Sequence, residues 1–145
     1  MSTSTILVAT DFSEMSQAAV DYATTQARMT GAKMLIVHAL AAPSPEQGEG
    51  MMHGGFDLEA PETAERRLRS IKPGSKGVHF EHRLVRGEPA KEILRLAKDE
   101  NAGLIVMGTH GRTGMLRALM GSVAEQVVRN ATCPVLTLKI PKAEA

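Results

Sequence analysis

Three continuous apolar runs, Ile6-Leu7-Val8-Ala9, Met34-Leu35-Ile36-Val37 and Leu104-Ile105-Val106-Met107, constrain this chain more than any other feature. Each is bounded by polar or turn residues and is too short for a helix. An unalternated apolar run of that length suits a strand buried on both faces, as in a parallel sheet. Leu104–Met107 is the most apolar of them and the best candidate for a central strand. Between the runs the periodicity changes to that of helices. Met15, Ala18, Ala19, Tyr22, Ala23 and Ala27 recur at helical spacing after a capping Asp11 or Ser13, and Gly31 stops that helix. Ala90, Ile93, Leu94 and Ala97 form a second stripe, opened by Gly87-Glu88-Pro89 and ended by Gly103.

The remaining elements are weaker in pattern. Lys33–Ala39 holds the second strand, and Val78–Val85 alternates, so it reads as a half-exposed strand nearer a sheet edge. Glu62–Ile71 suits a short polar helix ended by Lys72-Pro73-Gly74. Val123–Asn130 suits a helix with Val123, Val127 and Ala131 on one side, and Pro134–Ile140 a last strand. Ala41–Pro61 is rich in Pro, Gly, Glu, Ser and Met, and reads as a mobile loop of about 20 residues. Strands alternating with helices predict an α/β, doubly wound parallel sheet. In such a sheet ligands lie beyond the carboxyl ends of the strands, where strand order reverses.

Composition narrows the function classes. The 145 residues suit a single domain spanning 1–145. With no Trp, one Tyr and three Phe the core must be aliphatic, and few rings remain for stacking bases. Seventeen basic against sixteen acidic residues give a formal +1, no broad footprint for nucleic acid or an anionic membrane. Cys133 is the only cysteine, so no internal disulfide forms; it reads as a small buried residue. The N-terminus carries no signal-type segment and no apolar run approaches the ~20 residues of a membrane helix, so the expected location is the cytoplasm.

Chemistry concentrates after Met107. Gly108-Thr109-His110-Gly111 follows the strand, and nine residues separate Gly111 from Gly121-Ser122 at the start of a helix. Glycines let backbone amides approach an anion, and the helix adds free N–H groups and the positive end of its dipole. Ser122 and Glu125 fit a capping box with the Ser122 hydroxyl near the same anion. The pattern predicts a phosphate cradle, although no Gly-Lys-Ser or Gly-Lys-Thr signature and no GxGxxG after the first strand is present. Arg112 is placed to bond a phosphate, with a solvated loop position as the alternative.

The spacing Gly108, two residues, Gly111, nine residues, Gly121-Ser122 resembles the glycine motif of the ATP-binding branch of the universal stress protein family. Ala9-Thr10-Asp11-Phe12-Ser13, Val37-His38-Ala39, Gly87–Ile93 and Thr132–Leu136 are similar to other parts of that family. The resemblance implies a Rossmann-like five-stranded sheet of order 3-2-1-4-5, related to the adenine nucleotide alpha-hydrolases. It further implies that Asp11 and the Ala39 backbone hold adenine and ribose, that Gly108, Gly111, Gly121 and Ser122 hold ribose and phosphates, and that Thr10 and Met107 line the pocket. The implied ligand is ATP, with Mg2+ or Mn2+ bridging its phosphates, in a nucleotide-dependent stress-response sensor with little or no hydrolysis. Family members also pair as homodimers, and the low-charge edge strand Val135–Ile140 offers a surface for it.

Competing readings are a slow ATPase or nucleotidyl-transfer enzyme and a nucleotide-free structural or chaperone-like dimer module. Against catalysis, the sequence shows no evident general base, no aspartate pair for magnesium and no Walker lysine. His110 lacks a positioned carboxylate. His79 and His82 lie three apart on a strand, face opposite ways and read as surface residues rather than zinc ligands. His53-Gly54-Gly55 has no GxSxG partner, and Met51 and Met52 read as loop filler.

Overall fold

The computed structural model describes residues 4–41, 60–110 and 120–139. Within them the chain runs β1 (Thr5–Ala9), α1 (Glu14–Thr30), β2 (Lys33–Leu40), α2 (Pro61–Arg69), β3 (Phe80–Arg86), α3 (Pro89–Asp99), β4 (Ala102–Gly108), α4 (Ser122–Asn130) and β5 (Val135–Leu138). All strand pairings are parallel and the order is β3-β2-β1-β4-β5. The sheet therefore grows outward from β1 in one direction through β3. The α3 crossover then carries the chain back to β4 on the other side of β1. The point of reversal lies between β1 and β4.

Alternation along the strands divides the core. Leu7, Leu35, Val37, Ile105 and Met107 pack with Ala90, Ile93 and Leu96 of α3 and Ala124 and Val127 of α4. Ile6, Val8, Met34, Ile36 and Val106 pack with Ala19, Val20, Ala23 and Ala27 of α1 and Leu68 of α2. Helices thus cover both faces, which is why the central strands read as unbroken apolar runs. Leu7, Leu35, Ile36 and Ile105 are fully buried. Each contributes ~1.5–3 kcal/mol relative to an exposed side chain, so aliphatic residues suffice for this core.

Several sequence expectations shift by a residue or two for identifiable reasons. The buried stripe of α1 is Ser16, Ala19, Val20, Ala23, Thr24 and Ala27, rotated from the one read through Met15, Ala18 and Tyr22. Ser16 and Thr24 are tolerated inside because their hydroxyls donate to the carbonyls of Ser13 and Val20. Gly103 does not end α3. The helix closes at Glu100, Asn101 takes the left-handed turn at φ 54°, and Gly103 lies inside β4, where the pairing with β1 slips by one residue. Pro61 opens α2 rather than closing the preceding loop, and β3 begins at Phe80, not Val78. The Ala41–Pro61 loop lies, apart from its ends, outside the described residues.

The two outer strands match their sequence signatures. β3 is an edge strand of exposed and half-buried residues, and β5 is the opposite edge, half-buried throughout. His82 departs from the surface reading: it is half-buried, and its Nε2 lies 2.7 Å from the Ile71 carbonyl, tying β3 to the chain that follows α2.

Candidate functional site

Register fixes which residues share the carboxyl edge of the sheet. Ala9 pairs with Val37 and Val8 with Val106, so Thr10, His38, Ala39, Met107 and Gly108 all lie at that one edge, around the point of reversal. The β1–α1 turn forms one wall. Thr10 is buried, its N–H donates to Val37 O at 2.8 Å, and its Oγ1 lies 3.0 Å from Ser16 Oγ. Asp11 Oδ1 accepts from the Ser13 N–H at 3.0 Å, while Ser13 Oγ accepts from the Ser16 N–H as the N-cap of α1. Of the two capping candidates, Ser13 does the capping, and Asp11 shapes the turn before it.

Phe12 sits in that turn at φ 69°, an unusual conformation for a bulky residue. Backbone in such regions concentrates where a ligand is held and must be supported by its surroundings. The support here is aromatic and cationic. The Phe12 ring centroid lies 4.3 Å from that of His38, and the Arg67 guanidinium from α2 sits 4.3 Å from the Phe12 ring centre. His38 is itself buried, with Nδ1 2.8 Å from the Thr10 carbonyl oxygen. Sequence reasoning did not find this cluster. Arg67 comes from a helix more than fifty residues away, and no local spacing signals it.

The other wall is the end of β4 and the start of α4. Gly108 is the last residue of β4, and a Cβ there would fall 2.7 Å from Met15 Cγ, so α1 packs directly on the bare backbone. Thr109 is buried; its N–H donates to Leu138 O, and its carbonyl accepts from the Gly121 N–H at 2.6 Å. The two ends of the glycine segment are thereby clasped. Gly121 also fits closely, since a Cβ would stand 3.1 Å from Thr109 O.

Ser122 departs from the expected capping box. Gly121 is the N-cap of α4 with no side-chain capping bond, and Ser122 is the first helical residue, exposed. Glu125 pairs instead with Arg129 at 2.7 Å. The amides of Ser122, Val123 and Ala124 have no acceptor inside their own helix, and the Ser122 hydroxyl is not used for capping. Gly111 and Arg112 lie outside the described residues. Thr10, Ala39, Met107 and Gly108 lie at or just past strand ends, Asp11 in the β1–α1 turn, and Gly121 and Ser122 at the start of α4.

The described residues contain no cluster of three His, Cys, Asp or Glu side chains able to hold a metal. An open cleft of about 490 Å³ on the α2–β3 side is lined by Glu65, Arg69, Glu81, His82 and Arg83, and by none of the site residues. Its charges are largely paired, with Arg69 on Glu65 and Lys33 on Glu81. Burial raises the Cys133 thiol pKa, so this half-buried cysteine is no activated nucleophile. No helix among the described residues is long and apolar enough to cross a membrane.

Fold and site together define a doubly wound, all-parallel α/β protein in which the Thr109–Gly121 contact holds the end of β4 against the N-terminus of α4 beside the point of strand reversal. Comparison with known proteins gives the family. The universal stress protein family profile matches residues 3–139, and the chain belongs to the universal stress protein family. Universal stress protein MJ0531 of Methanocaldococcus jannaschii is 37% identical over 144 residues, covering 96% of this chain and 84% of the relative. Universal stress protein YxiE of Bacillus subtilis is 35% identical, covering 92% and 97%. Among solved structures, that of MJ0577 superposes with a TM-score of 0.74 at 28% identity, covering 97% of this chain and 98% of that one. A universal stress protein in complex with cAMP gives a TM-score of 0.61 at 27% identity, covering 96% and 98%.

Proposed function

We propose that this chain binds an adenine nucleotide, ATP in its working form, at the carboxyl ends of β1, β2 and β4, and that occupancy regulates the surface it offers to partner proteins. The observation that carries this reading is the pairing of the Asp11 turn with the Gly108–Thr109–Gly121 clasp across the point of strand reversal. Support comes also from the related universal stress protein crystallised with cAMP. In this reading Asp11 and the Ala39 backbone meet adenine and ribose, Thr10 and Met107 form the floor, and Gly108, Gly111, Arg112, Gly121 and Ser122 meet ribose and phosphates. The α4 amides left without helical acceptors supply the donors a phosphate requires. Mg2+ or Mn2+ is held by the phosphates themselves.

The proposed cycle is binding and release, with hydrolysis slow or absent, in a single domain covering 1–145 that works in the cytoplasm. A homodimer through β5 completes the proposal, because β5 is an edge strand of the sheet among the described residues, and sheet edges are ready templates for pairing with another chain. Calorimetric titration of nucleotide-stripped protein with ATP and Mg2+ tests the site. Ser122→Ala is the informative variant, since Ser122 is exposed and carries no cap. Gly121→Val adds a steric arm, although its Cβ presses first on Thr109 O. Binding by wild type that weakens in Ser122→Ala supports the reading; no binding by folded wild type overturns it. Sustained multiple turnovers of ATP would replace the sensor with an enzyme.

A further inference from the structure

We infer that Met15 is the positioning residue of the glycine loop: its thioether, used as a hydrogen-bond acceptor, sets where the loop leaves β4 relative to the Asp11 turn. The inference rests on the nucleotide reading for its functional consequence, but its geometry stands separately. Met15 lies in the first turn of α1, two residues after the Ser13 cap, so its backbone belongs to the β1–α1 wall. Its side chain belongs to the other wall. Sδ accepts from Thr109 Oγ1 at 3.4 Å and from the His110 N–H at 3.3 Å. Thr109 Oγ1 in turn lies 3.1 Å from His110 Nδ1, which makes a closed set of polar contacts around the sulfur.

Gly108 explains why the sulfur can reach. A side chain at 108 would occupy the volume now filled by Met15, whose Cγ, Cβ and Sδ lie 2.7, 3.2 and 3.2 Å from the position of a Cβ. Thr109 then passes the constraint on, because its carbonyl accepts from Gly121 N–H at the start of α4. Met15 is thus linked through Thr109 to Gly121, at the helix start proposed to meet phosphates. Methionine suits this position because it is long, unbranched and adaptable, and because its sulfur is a weak acceptor that seats a loop without locking it.

Two substitutions separate acceptor from filler. Met15→Leu keeps volume and apolarity but removes the acceptor; Met15→Gln keeps an acceptor at similar reach but is polar. A packing role ranks Leu above Gln, whereas the positioning role ranks Gln above Leu. The expected result in titrations with ATP and Mg2+ is a loss of roughly tenfold in affinity for Met15→Leu, the scale of one net hydrogen bond, with partial retention in Met15→Gln. The second readout needs no nucleotide. Hydrogen exchange at the His110 amide should accelerate in Met15→Leu and stay nearer wild type in Met15→Gln. If wild type binds no ATP the nucleotide reading fails, and the exchange ranking alone decides the role of Met15. Leu equal to or better than Gln in exchange, or in affinity where ATP binds, overturns the inference.

Discussion

The buried His38 ring points Nδ1 at the carbonyl oxygen of Thr10, 2.8 Å away, and so joins the end of β2 to the turn that leaves β1. A carbonyl only accepts, which places the proton on Nδ1 in this contact. The bond supports a turn already carrying Phe12 at positive φ. Replacing His38 by Leu leaves the Thr10 carbonyl without that donor in a buried setting. The expected cost is ~1–3 kcal/mol in urea unfolding. Nucleotide affinity should fall as well, because Asp11 follows Thr10 directly. A His38→Leu protein as stable as wild type would show that the bond carries no net energy.

Gly108 and Met15 make the clearest case for a double-mutant cycle. Gly108→Ala puts a methyl group against Met15 Cγ and Cβ, near the stiff base of that side chain rather than its tip. Overpacking of this kind costs ~1–3 kcal/mol. In a Met15→Ala background most of that penalty should vanish, giving a coupling of about 0.5–3 kcal/mol. Additive effects by thermal or denaturant unfolding would mean that the backbone moves instead of the side chains.

How much of this was legible in the sequence depended on the range of the interaction. The three apolar runs became β1, β2 and β4 because burial on both faces leaves a local signature. The alternation in Val78–Val85 gave the edge strand β3 for the converse reason. Boundaries were less legible. Asn101 could be left-handed and leave Gly103 free to sit in a slipped strand, which no propensity at either residue settles. At the carboxyl edge of the sheet, spacing placed Gly108 at a strand end and Gly121 at a helix start, while Asp11 was read as a capping candidate and the turn gave the cap to Ser13. Spacing did not reveal Met15, His38 and Arg67, since each acts across elements. Met15 in particular looked like one more apolar residue of a helical stripe.

The edge pair Lys33 and Glu81 offers a pH prediction. The hydrogen bond from Lys33 Nζ at 3.1 Å, and its charge, hold the Glu81 carboxyl below its ordinary pKa, and Arg83 adds to the effect. A carboxylate depressed in the folded state contributes stability that is present above its unfolded pKa and lost as pH falls through its folded pKa. The pair is solvent-exposed, so salt screens it and its energetic weight is small. Lys33→Met should therefore raise the Glu81 pKa, read by carboxyl NMR titration, with little change in melting temperature near neutral pH. An unchanged Glu81 titration would show that the pair does not persist in solution.

Two serines at helix starts should respond in opposite ways. Ser13 is a true N-cap: its Oγ accepts from the Ser16 N–H at 3.2 Å, and its carbonyl accepts from Ser16 Oγ and from the Gln17 N–H. Ser13→Ala should cost ~0.5–2 kcal/mol of stability, as loss of an N-cap does. Ser122 begins α4 one residue inside the cap, exposed and without a capping bond, and alanine is the better helix former at such a position. Ser122→Ala should therefore leave the unfolding midpoint near wild type while weakening ATP binding, measured by calorimetry. Loss of stability in Ser122→Ala equal to that in Ser13→Ala would restore the capping box read from Ser122 and Glu125, and would reduce the serine of the glycine motif to a structural residue.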